Sequence, residues 1–127
     1  TINSDIFLCV NKKILESGTS NVLFVKKNKI FSPIKNFYKG ITFKFFEKEV
    51  DKIVKKNIFI NTLNNYDEII LIGSGRGVVS VESIKKTKWK RKSLSTYRFL
   101  SKIYNQAVTK CPLYNGWSII PIILKIF

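Results

Sequence analysis

The 127-residue chain contains no histidine. That excludes triad and other histidine-based acid–base chemistry, and with only two cysteines it leaves no Cys/His cluster to hold a metal. Cys9 and Cys111 could form a single bridge, but without a dense disulfide framework the expectation is two free thiols in a cytoplasmic protein. Long apolar runs are also missing. The apolar tail at 118–127 is ten residues, short of the ~20 that a membrane-spanning helix needs. There is no signal-peptide pattern, and no membrane partner is expected. Internal repeats and Gly/Ser linkers are absent, so the length allows one domain. The chain does not begin with Met, which suggests a piece of a longer protein.

Acidic residues are scarce. Eight Asp and Glu stand against 23 Lys and Arg, for a formal charge of +15. The excess is mostly lysine and comes with many Ile, Asn and Phe, as compositional drift would produce. A nucleic-acid partner is therefore not expected, whereas an acidic ligand would suit the positive potential. At 45% apolar and 13% aromatic the chain can bury a core.

Hydrophobic spacing predicts a mixture of strands, hairpins and two main helices, an α+β class. Residues 5–10 read as a strand, with a turn at 11–13. Val22-Leu23-Phe24-Val25 is apolar on both faces, a central strand. Lys27-Asn28 turns the chain back into Ile30-Phe31, and Ser32-Pro33 stops that strand. From Gly40, the stripe Phe43, Phe46, Val50, Ile53 and Val54 predicts a helix ending at Asn57. A short strand is expected at 58–60, then strands at 68–72 and 78–81 around Gly73-Ser74-Gly75-Arg76-Gly77. A last helix spans 95–108, burying Tyr97, Leu100, Ile103, Tyr104 and Ala107.

Three features carry chemistry, each weak alone. The glycine run 73–77 could offer backbone N–H groups to an anion. A strand, not a helix, follows it, so the dinucleotide and P-loop fingerprints fail and a plain Gly-rich turn is the bland alternative. Gly40-Ile41-Thr42 opens a helix, whose free N–H groups and positive dipole end suit a phosphate, although every helix has a start. Glu16 stands between Ile14-Leu15 and the small residues 17–21. It is either a carboxylate at the end of a strand, facing a pocket and in need of a partner, or a surface glutamate in a loop.

Together they are more specific. The segment Ile14-Leu15-Glu16-Ser17-Gly18-Thr19-Ser20-Asn21-Val22-Leu23-Phe24-Val25, then Ile30-Phe31-Ser32-Pro33, Gly40-Ile41-Thr42 and Asp67-Glu68 with strands around 73–77 resembles the fold-type-IV pyridoxal-phosphate enzymes. This is the family of class IV aminotransferases and 4-amino-4-deoxychorismate lyases. The match in order and spacing runs from about residue 5 to residue 84, nearly two thirds of the chain. It implies the C-terminal, cofactor-binding domain of that fold over residues 1–110, with an apolar tail at 111–127 that has no counterpart.

The resemblance implies pyridoxal 5'-phosphate as cofactor. Glu16 would face the pyridine nitrogen, and Thr19, Ser20 and Asn21 would line the cofactor. Tyr38 would lie against the ring, and Gly40, Ile41 and Thr42 would hold the phosphate, completed by Ser74 and Gly75. Arg76 could meet a substrate carboxylate or make a structural ion pair. The family's Schiff-base lysine lies further ahead of the glutamate than the fifteen residues present here. Lys12 and Lys13 are too close to replace it. The expectation is thus an inactive isolated chain, lacking its N-terminal domain and dimeric in the parent enzyme.

Within the family, 82–93 is Lys-rich and has neither Gly nor Pro, and Arg-Gly follows Gly75. That favours 4-amino-4-deoxychorismate lyase, which forms 4-aminobenzoate and pyruvate for folate biosynthesis, over a branched-chain or D-amino-acid aminotransferase. A non-catalytic relic or interaction module is the third reading, with the faces of 22–25 and the apolar tail left bare for a partner. The basic run 85–92 around Trp89 could stack on a base, but a solvated connection is the simpler reading.

Overall fold

Two Asn/Lys pairs set the hairpins. Asn11 and Lys12 have φ of 51° and 66°, and Lys27 and Asn28 have 49° and 66°. Two consecutive left-handed residues make a tight turn whose twist matches that of paired strands. The first turn joins β1 (Phe7–Val10) to β2 (Lys13–Ser17), and the second joins β3 (Asn21–Lys26) to β4 (Lys29–Ser32). The computed structural model describes residues 4–110. Cys111 and the apolar tail expected at 111–127 lie outside the described residues.

After β4 come α1 (Ile41–Glu49), β5 (Ile53–Lys55), a 3-10 helix (Ile60–Asn65), β6 (Glu68–Gly73), β7 (Gly77–Ser80) and α2 (Ser95–Lys110). β1 and β2 form a two-stranded sheet. The other strands form a sheet in the order β5-β4-β3-β6-β7, antiparallel except for the β4–β5 pair. The fold is α+β, as the spacing predicted.

β3 and β6 occupy the centre, and their apolar residues alternate between two cores. Val22, Phe24, Ile69 and Leu71 face one side with Ile14, Ile58, Leu63, Tyr66 and Trp89. Leu23, Val25, Ile70 and Ile72 face the other, against Phe43 and Phe46 of α1 and Leu100 and Tyr104 of α2. Each fully buried side chain of this size contributes about 1.5–3 kcal/mol by leaving water. Residues 22–25 are all buried, so the bare faces expected there are instead covered within the chain.

Two elements differ from the periodicity. α1 ends at Glu49, not at Asn57, and Val50 is already extended. Ile53 continues the three-residue spacing, but Ile53 and Val54 are β-branched and find a parallel partner in β4, with Ile30 opposite Ile53. That pairing is long-range and invisible to a helical count. The strand expected at 58–60 reduces to one bridge between Phe59 and Lys13, with Ile58 buried beneath it. The 3-10 helix starts at once, and Thr62 donates its hydroxyl to the Phe59 carbonyl.

α2 is fastened by a buried carboxylate. Glu68, the first residue of β6, is 1% exposed. Its two oxygens accept the backbone N–H groups of Thr96 (3.0 Å) and Tyr97 (2.9 Å). A carboxylate on the first turn satisfies orphan donors and meets the positive end of the helix. Glu68→Ala removes both acceptors from a dry site and should cost about 2–4 kcal/mol, seen as a lower urea midpoint. An unchanged midpoint would mean that this cap is not what holds α2.

Candidate cofactor-binding site

Strand register brings distant loops to one end of the large sheet. Asn21 at the start of β3 lies opposite Ile72 near the end of β6. β4 runs antiparallel to β3, so the chain leaving Ser32 emerges at the same end. Residues 17–21, the segment before α1 and the hairpin loop 74–76 therefore converge there.

Asn21 joins two of the three. It is buried, its Nδ2 donates to the Tyr38 carbonyl (2.6 Å), and its Oδ1 accepts the Gly40 N–H (3.0 Å). A Cβ on Gly40 would stand 3.1 Å from that Oδ1, so glycine allows the close approach. Gly40 is the N-cap of α1 and provides no side-chain cap, and the first turn carries no acidic residue. The opening N–H groups of α1 thus form an uncapped positive helix end, with Thr42 buried behind them.

The glycine run is a three-residue hairpin loop, because Gly73 pairs with Gly77 across it. Gly77 has φ +74°, the left-handed position that such loops require. A Cβ on Gly73 would meet Ser20 Oγ at 3.2 Å, so this loop rests on residues 19 and 20. Gly75 faces open space, with no heavy atom within 4 Å of where its Cβ would be.

A hydrogen-bond network that spacing did not reveal ties the first loop to the third. Asp5 accepts from Thr19 Oγ1 (2.6 Å) and Ser17 Oγ (2.8 Å). Arg76 donates through Nε to Thr19 Oγ1 (2.9 Å) and through Nη2 to the Ser4 carbonyl (3.1 Å), and its Nε is 3.9 Å from Asp5. Ser17 Oγ accepts the Ser20 N–H at 2.9 Å, closing the loop on itself. Nothing in the sequence marks Asp5, since an acidic residue ahead of an apolar strand is ordinary.

The other expected residues are placed as follows. Glu16 is half-buried on β2, opposite Leu8, not in a loop. The β1–β2 register shifts between Leu8 and Cys9, which pair with Glu16 and Ile14, so the strand is irregular between Ile14 and Glu16 and simple alternation does not carry from one to the other. Tyr38 is 77% exposed, its ring free beside the Gly40 turn. Ser74 and Gly75 are exposed at the hairpin tip. Lys12 and Lys13 are at the opposite end of β2 from Ser17. Trp89 is 2% exposed and donates its indole N–H to the Tyr66 carbonyl (3.1 Å). Its ring is core and cannot stack on a base, so the basic run around it is a surface connection pinned by one buried aromatic.

Sheet and loops together bring the start of α1 and the glycine hairpin to one end of a mixed sheet. The model of the family described as amino-transferase class IV matches residues 3–84, and the chain belongs to that family. No curated protein matches it. Among solved structures, a protein assigned as a branched-chain amino acid aminotransferase from Thermotoga maritima is similar at TM-score 0.70 and 20% identity, covering 90% of this chain and 44% of that one. An aminotransferase from Brucella abortus bound to the cofactor PLP gives 0.63 and 23%, covering 80% and 39%. A protein assigned as a 4-amino-4-deoxychorismate lyase from Legionella pneumophila gives 0.69 and 16%, covering 80% and 40%. At these identities the likeness is one of fold, and the chain spans less than half the length of these structures.

Two outcomes test the geometry. Asn21→Ala should loosen the segment 38–40 and cost about 1–3 kcal/mol, because the Gly40 N–H and Tyr38 carbonyl lose a buried partner. A chain as stable as the unaltered one in urea would contradict the clamp. The second concerns Asp5. Burial raises its pKa, but hydrogen bonds from Thr19, the Ile6 amide and Ser17, with the Arg76 charge, outweigh that and hold it below the ordinary 3.8. The folded pKa is the lower one, so this contribution to stability is present above about pH 4 and lost as pH falls through the folded pKa. The Tm gap between the unaltered chain and Asp5→Asn should therefore close on acidification. A gap that stays constant down to about pH 2 would refute the assignment.

Proposed function

We propose that this chain is the pyridoxal 5'-phosphate-binding half of a class IV enzyme, and that the enzyme is a 4-amino-4-deoxychorismate lyase. The observation that carries the cofactor reading is the uncapped start of α1, held by Asn21 beside the open Gly75 loop. These residues fit a phosphate: backbone donors, no competing carboxylate in the first turn, and open space at Gly75.

In this reading the amides of Ile41 and Thr42, with the Thr42 hydroxyl, take the phosphate, and Gly40 lets it approach. Ser74 adds a hydroxyl and Gly75 an amide from the other side. Asn21 orients the turn, and Ser20 lines the wall between the loops, with Thr19 behind it. Tyr38, exposed beside the turn, covers one face of the ring. Glu16 keeps a proton on the pyridine nitrogen. When bound, the cofactor supplies an electron sink for carbanion chemistry at the substrate. Arg76 could still meet a substrate carboxylate, although its bonds to Thr19 and Ser4 support a role in joining loops.

The lyase is preferred because the segment 82–93 lacks the Gly- and Pro-containing stretch expected of the aminotransferases. Aminotransferase activity is the second reading, favoured by the aminotransferases among the structures of similar fold. A parent homodimer with a further N-terminal domain is part of both.

The test is a titration of the chain with pyridoxal 5'-phosphate, then the same with Glu16→Ala and Gly40→Val. The unaltered chain should bind. Gly40→Val should weaken binding at least tenfold, and Glu16→Ala should alter the absorbance of the bound cofactor, since its ring nitrogen loses its anionic partner. Binding indifferent to Gly40→Val would sink the phosphate assignment. Release of 4-aminobenzoate from aminodeoxychorismate by the parent protein would support the lyase. Exchange of amino groups between an amino acid and a keto acid would instead support the aminotransferase.

A further inference from the structure

The loop that lines the proposed site carries several small hydroxyls, and their protons are already committed. Thr19 has one hydroxyl proton. Its Oγ1 is 2.6 Å from Asp5 Oδ2, the short distance of a bond to a charged acceptor, so the proton points at Asp5. Thr19 Oγ1 must then act as acceptor toward its other neighbours, Arg76 Nε at 2.9 Å and Ser20 Oγ at 3.2 Å. Ser20 therefore turns its own proton toward Thr19. Ser17 Oγ is in reach of Asp5 Oδ2 (2.8 Å) and of the Ser20 carbonyl (3.0 Å), while accepting the N–H groups of Ser20 (2.9 Å) and Thr19 (3.3 Å). Asp5 Oδ1 accepts the Ile6 N–H (2.8 Å), and the Ile6 carbonyl accepts the Gly18 N–H (2.9 Å). One carboxylate orders a five-residue loop and, through Thr19, the arginine of the facing hairpin.

We propose that Asp5 is a positioning residue for the cofactor site: its carboxylate clasps the loop 17–21 to the hairpin loop 74–76 through Thr19 and Arg76. Thr19 serves this clasp with its hydroxyl and does not donate to the cofactor. The surface that Ser20, Ser74 and Gly75 present is thus set by a group that touches neither cofactor nor substrate. This rests on the cofactor-site reading above.

The experiment compares the unaltered chain with Asp5→Asn, Thr19→Val and Thr19→Ser. Two quantities are read on each: the Kd for pyridoxal 5'-phosphate, and amide hydrogen exchange at 18–20 and 75–76, with the amides of β3 and β6 as a folding control. Asp5→Asn and Thr19→Val should speed exchange in both loops and weaken binding roughly tenfold, the scale of one lost bond to a charged group, with the strands still protected. Thr19→Ser should restore both readings. Unchanged exchange would overturn the clasp, and faster loops with unchanged affinity would overturn the positioning role. If Asp5→Asn loses strand protection, Thr19→Val decides by the same readings, since Asp5 is intact there. No binding by the unaltered chain would overturn the cofactor reading and this role with it. That result is distinct from equal binding by the unaltered chain and the variants, which overturns the role alone.

Discussion

The antiparallel pairing of β3 with β6 is the constraint on which the rest depends. It places Asn21 opposite Ile72 and so sets residues 17–21 beside the glycine hairpin. Both strands are apolar on both faces, and each divides its side chains between two cores. A one-residue slip would exchange those cores and carry Asn21 away from the Gly40 turn. The burial that stabilises the sheet is therefore also what aims the loops.

Against a formal charge of +15, several of the few carboxylates have specific partners. Glu68 meets the first turn of α2, Asp67 accepts the Lys27 N–H, and Glu47 binds Lys55 at 2.7 Å and Lys39 at 3.4 Å. Asp5 orders the loop 17–21. The two main helices are treated oppositely. The start of α2 is neutralised by a buried carboxylate, whereas the start of α1 has neither a side-chain cap nor an acidic residue. A helix end left positive in this way is the feature on which the proposed phosphate site rests.

The link between β7 and α2 shows how composition can mislead. Its lysines suggest a basic surface for nucleic acid, but the aromatic among them belongs to the core. Trp89 packs with Tyr66, Ile69 and Leu71, and its indole N–H is bonded to the Tyr66 carbonyl. The lysines on either side are exposed because a buried anchor leaves its neighbours outside.

The sequence by itself determined the hairpin turns, the central strands, both helix starts and the three motifs of the candidate site. All of these are local: turn residues, two-faced apolar runs and residue order show in a short window. Only tertiary structure decided where α1 ends, since Ile53 and Val54 are drawn into pairing with β4. It alone decided that Glu16 lies on a strand, that Asn21 holds the Gly40 turn, that Glu68 is a helix cap and that Asp5 joins two loops. Each of these is a bond between residues far apart in the chain. Its existence depends on which strands pair and in what register, and no local pattern encodes that.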